Sequence, residues 1–103
     1  MPGEPEPDPV RLGDALAAIG DELGLADPRV VGILAGRWPE VVGVAVAGQA
    51  RLRSLRGDVL TIAVDSGAWA TQLRYLHDDL LRRIAGLVGD GVIREVRVVV
   101  EPR

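Results

Sequence analysis

The 103-residue chain has no cysteine and no phenylalanine, and all 12 of its basic residues are arginine. The missing cysteine excludes disulfides, thiolate nucleophiles and Cys-ligated zinc. The missing lysine excludes a Walker-A phosphate lysine, a Schiff base and a lysine general base, and with them most ATPase and covalent-amine chemistry. Long apolar runs are also absent. The longest uncharged stretch, Val41 to Ala50, falls short of the ~20 residues a membrane-spanning helix needs. The N-terminus is acidic and proline-rich where a signal peptide would be basic and then apolar. These absences lead us to expect a soluble cytoplasmic protein with no membrane association, small-molecule substrate, cofactor, metal or catalytic residue.

What is present is ordinary for one globular domain: 48% apolar and 26% charged residues, enough to bury roughly two-thirds of the unfolded surface. The charge is uneven. Residues 1–27 carry seven acids against Arg11, a net −6, whereas residues 28–103 carry eleven arginines against eight acids, a net +3. The body is thus mildly basic within a chain of net charge −3 and pI near 5.0, too acidic overall for a strong autonomous nucleic-acid binder.

Residues 1–8 alternate proline and acid with nothing to bury, which predicts a disordered tail before a domain over 9–103. Asp8-Pro9 and Asp27-Pro28 each pair an N-cap acid with proline at the first helical position. The first predicts a helix with the stripe Leu12, Leu16, Ile19 and Leu23, stopped by Gly24. The second predicts a helix through Val30, Leu34 and Trp38 that bends or restarts at Pro39. Val41 to Ala47 reads as a helical turn or two, since Gly43 and Gly48 weaken a strand.

From Ala50 the period becomes two. Ala50, Leu52 and Ser54 alternate with Arg51, Arg53 and Leu55, and after Arg56-Gly57-Asp58 the residues Leu60, Ile62 and Val64 form a second alternating set, predicting a hairpin with one apolar face. Asp65-Ser66 then offers cap oxygens to one long helix with the stripe Trp69, Leu73, Leu76, Leu80, Ile84 and Leu87, carrying Asp78–Arg82 and Asp79–Arg83 as acid-before-base pairs. Gly89 to Gly91 ends it, and Val92 to Val100 supplies a last strand. The fold class expected is α+β, in the order α-α-β-β-α-β, with a three-stranded sheet and helices mainly on one face. A right-handed crossover joins the last strand to the sheet, beside either the second or the first.

Few motifs carry chemistry. His77-Asp78-Asp79 holds the only histidine, but residues one and two apart on a helix diverge, and no second histidine completes a metal pair. Ser54 and Ser66 lack a histidine to activate them. Arg56-Gly57-Asp58 spells an adhesion tripeptide, yet Gly-Asp between alternating strands is what a hairpin turn requires. Gly86-Leu87-Val88-Gly89 matches the GxxG of KH-type RNA-binding domains; its apolar middle and the strand that follows read better as a helix end packed on the core. Arg51 and Arg53 project from one strand face with Arg56 at the turn, and Arg97 shares that face if the pleat phases agree. Such a group can meet phosphates or an acidic partner. Both tryptophans fall on apolar stripes, which assigns them to the core.

Three segments in order carry a resemblance: Trp38-Pro39-Glu40-Val41-Val42-Gly43, then Arg56-Gly57-Asp58-Val59-Leu60-Thr61-Ile62-Ala63-Val64, then Ser66-Gly67-Ala68-Trp69-Ala70-Thr71-Gln72-Leu73. Together they resemble the DciA family of bacterial replicative-helicase operators over roughly Leu12 to Val100. The resemblance implies a KH-like domain that docks on the replicative helicase DnaB and promotes its loading on single-stranded DNA, without hydrolysing ATP. It marks Trp38, Gly43, Gly57, Leu60, Trp69 and Leu73 as motif positions that hold the fold. Arg51, Arg53, Arg56 and Arg97 are assigned to weak single-stranded DNA or helicase contact on charge alone. The alternative is a KH-type RNA-binding module.

Overall fold

In the computed structural model, which describes residues 27–102, the Asp27-Pro28 signal opens the first described helix, α1 (Pro28–Gly36). The Asp27 carboxylate accepts a hydrogen bond from the backbone N–H of Arg29 at 2.9 Å. The Arg29 guanidinium on the same carboxylate, together with that N–H bond, holds the Asp27 pKa below its usual value. The helix breaks at Arg37 and restarts as α2 (Trp38–Val42), with Pro39 in its first turn, as the sequence leads one to expect of a proline that cannot donate to a preceding turn. Gly43, at φ 96°, ends α2 in a conformation that favours glycine. Successive turns to Gln49 then lead into the sheet. The helix expected over residues 9–23 and the tail before it lie outside the described residues.

The hairpin consists of β1 (Ala50–Arg56) and β2 (Val59–Val64), antiparallel. Its two-residue turn has φ 57° at Gly57, and no described non-glycine residue has a positive φ, the pattern of a type II′ turn. The strict alternation expected of β1 needs correction. The register slips between Leu52 and Ser54, leaving Arg53 as a bulge. An extra residue inverts the side-chain phase. Ala50 and Leu52 therefore share the apolar face with Leu55, which unbroken alternation would have placed among the arginines; Leu55 is 6% exposed.

The single long helix is likewise two: α3 (Gly67–Tyr75) and α4 (His77–Val88), parted at Leu76. No proline or glycine marks the break. It lets α3 lie along β3 and β2 while α4 turns to pack on α1 and α2 as well. Tertiary contact here overrides a continuous apolar stripe. Asp78 and Asp79 fall in the first turn of α4, where the helix dipole favours acids. The expected i, i+4 pairs are not formed as such: Arg82 meets Asp79 at i, i+3, and Arg83 reaches the carbonyl of Val41 at 3.4 Å.

The last strand, β3 (Glu95–Val100), begins three residues later than the expected Val92, because Val92 to Arg94 form the approach to it with Ile93 buried in the core; it lies beside β2 and parallel to it, giving the order β1-β2-β3. The element order among the described residues is α-α-β-β-α-α-β, and the α+β class holds. Helices cover one face of the sheet. Beneath them Leu60, Ile62 and Val64 are fully buried, as are Leu73 and Leu80 above them. Each such Leu or Ile contributes roughly 1.5–3 kcal/mol by leaving water. No described helix is long and apolar enough to cross a membrane.

Candidate nucleic-acid interface

The pleat that turns Leu60, Ile62 and Val64 toward the helices turns Val59, Thr61 and Ala63 the other way. Register continues this second face across all three strands: Arg56, Val59 and Glu95 form one row, Ser54, Thr61 and Arg97 the next, and Arg51, Ala63 and Val99 a third. The bulge adds Arg53 beside the middle row. The pleat phases therefore agree, and Arg97 joins the hairpin arginines on one face. No described helix packs on it, and Arg53, Arg56 and Arg97 are all exposed.

The four arginines are not equivalent. The Arg51 guanidinium pairs with the Asp65 carboxylate at 2.6 Å and also donates to the carbonyl oxygen of Glu101. To reach from β1 to the end of β3 it spans two strand spacings, about 10 Å. Its register partner on β2 is Ala63, which has no exposure although no described helix packs on this face. Arg51 is thus a strap across the sheet, with its donors committed to the fold. Arg53 meets the Glu101 carboxylate at 3.0 and 3.1 Å, and Arg97 meets Glu95 at 3.2 Å. Both pairs are exposed, the kind that contributes little to stability. The Arg56 side chain makes no hydrogen bond or ion pair among the described residues.

Between these groups lies an open depression of about 380 Å³ lined by Arg53, Ser54, Arg56, Thr61, Val99 and Glu101. The Ser54 and Thr61 hydroxyls make no side-chain hydrogen bond among the described residues, leaving two hydroxyls and two guanidinium groups directed to solvent. Such a set can hold phosphate oxygens by charge-assisted bonds. It has no nucleophile with a base beside it, and no aromatic ring lies on this face to stack a base, so contacts here would follow the backbone and not the sequence of a strand. Ser54, Thr61 and Glu101 were not singled out as binding residues by sequence reasoning. The bulge pairs Ser54 with Thr61, and Glu101 sits just past the strand, so their convergence depends on register.

The motif positions lie in the frame of the fold. Trp38, half-buried against the core, donates its indole N–H to the carbonyl of Ala50 at 2.8 Å, tying α2 to the edge of β1. Gly43 and Gly57 hold positive φ. Leu60 and Leu73 are fully buried, and Trp69 packs on the core just after the Ser66 cap. Gly86 to Gly89 forms the C-terminal end of α4, with Leu87 against the core and Gly89 at φ 106°, not a loop between two helices. His77 is partly exposed beside Asp78. Among the described residues no group of three or more His, Asp or Glu is placed to hold a metal ion.

A sheet covered by helices on one side and carrying arginines on the other defines a small α+β domain. Comparison with known proteins makes this specific: the family model described as "Dna[CI] antecedent, DciA" matches residues 11–98, and the chain belongs to that family. Membership supports a replication-associated role. UPF0232 proteins are similar along most of the chain. Those of Rhodococcus jostii (38% identity, 94% of this chain and 52% of that protein) and Mycolicibacterium smegmatis (39%, 95% and 50%) are two examples. That of Mycobacterium tuberculosis is 37% identical over 94% of this chain and 52% of its own length. The chain spans about half the length of the curated relatives it matches.

Proposed function

We propose that this chain is a non-enzymatic accessory protein of DNA replication that acts in the cytoplasm. In this reading it binds the replicative helicase DnaB and promotes its loading or activity on single-stranded DNA, with the uncovered sheet face contributing a weak contact to the strand. The observation that carries the reading is the DciA match over residues 11–98. The open face supports the DNA contact independently. Its cations sit on rigid strands, three of them outside the framework of the fold, and a face without aromatic rings suits a strand of any sequence.

Co-elution with purified DnaB, in the presence and absence of a single-stranded oligonucleotide, tests this. A complex at micromolar concentration is expected. Its absence under both conditions would overturn the helicase assignment. DNA affinity should fall with salt on a shallow slope, because few phosphates are neutralised.

A further inference from the structure

Glu101 is the one acidic side chain that lines the depression. Its backbone is fixed from two sides: its N–H donates to the carbonyl of Val64 at 2.9 Å, and its own carbonyl accepts from Arg51. The carboxylate is thereby delivered onto the Arg53 Nε, with both of its oxygens within 3.1 Å. Yet both partners are about half exposed, at 55% and 44% of their side chains, so the pair is easily exchanged. The rest of the depression presents no other anion: its remaining polar side chains are Arg56 and the hydroxyls of Ser54 and Thr61, all able to donate. A carboxylate whose two oxygens share the Arg53 Nε–H has the charge sign of a phosphate in the same position.

We propose that the Glu101 carboxylate is a resident anion occupying the phosphate subsite of this face, and that a phosphodiester of single-stranded DNA binds by displacing it from Arg53. The inference rests on the proposed DNA contact and adds its regulation. The domain carries a competitor for its own ligand, which holds the affinity of the isolated domain down and leaves the subsite to strands presented at high local concentration. Asp78, exposed in the first turn of α4 and off the sheet, pairs with no arginine of this face and serves as the control of equal charge.

The test is fluorescence anisotropy of a labelled oligothymidylate at low salt, with the whole chain and its variants. Glu101→Gln keeps both backbone contacts of the residue and should tighten binding on the order of three- to tenfold. In an Arg53→Ala background the same substitution should gain almost nothing, as expected of two groups that act on each other. Asp78→Asn should change affinity less than twofold. Equal affinity of Glu101→Gln and the parent, a gain that persists without Arg53, or an equal gain from Asp78→Asn would each overturn the displacement. If those results came with binding still weakened by Arg56→Ala, the DNA contact itself would stand. Absence of binding by the parent and Glu101→Gln alike would overturn both.

Discussion

On one face of the sheet Leu60, Ile62 and Val64 lie under α3 and α4 without exposure. One residue along in each strand, Thr61 and Arg97 look outward with no described helix above them. The strands are the same and the backbone hydrogen bonds are shared, but the period of two lets each strand carry two separate instructions. The apolar set determines how the chain folds. The polar set can then present charge without a stability cost, because it was never needed to exclude water. The comparison predicts that substitutions sort by face, and each of the following tests that sorting.

The largest effect is expected on the covered side. Leu73 on α3 has no exposure and packs in the core shared with the sheet. Leu73→Ala should lower stability by ~2–5 kcal/mol, through lost transfer energy and the cavity left behind. Urea denaturation followed by circular dichroism measures it. A loss below ~1 kcal/mol would mean that α3 is not clamped on the strands and that the covered face is less decisive than its burial indicates.

Arg51 sharpens the comparison, since by register it belongs to the open face while its bonds belong to the fold. Arg51→Ala removes the strap to Asp65 and to the carbonyl of Glu101, and should cost about 1–2 kcal/mol, between a neutral hydrogen bond and a charge-assisted one. A stability change indistinguishable from that of Arg56→Ala would return Arg51 to the free cations and dissolve the distinction drawn among the four.

Most of the covered face was legible in the sequence. The Asp27-Pro28 start, the restart at Pro39, the Gly57-Asp58 turn and the apolar sets of β2 and β3 are local signals, and each forms where its residues place it. What escaped was nonlocal. The break at Leu76 has no local breaker and follows from α3 and α4 packing on different partners. The Arg53 bulge is a mismatch between two strands, invisible in either alone, although Leu55 among the arginines was its one trace. The site suffered most from this. Arginines could be assigned to one face by alternation, but which of them is spent depends on Asp65 and Glu101, distant in sequence and joined only by register. A charge pattern shows where cations gather; it does not show which ones already have an anion.

The smallest stability effect is expected at Arg56, and the comparison is most exposed to refutation there. Arg56 is the last residue of β1, exposed, and its side chain makes no hydrogen bond or ion pair among the described residues. Its charge therefore contributes nothing that folding would miss. Arg56→Ala should leave the urea midpoint within about 0.5 kcal/mol of the parent, while weakening oligothymidylate binding several-fold at low salt and making the salt slope shallower by about 0.7, the increment for one phosphate contact on a single strand. The two readouts must separate. A variant as stable as the parent that binds DNA equally well would show the open face to be ordinary solvated surface. A destabilised one would show that even this uncovered edge of the hairpin is held by its charge.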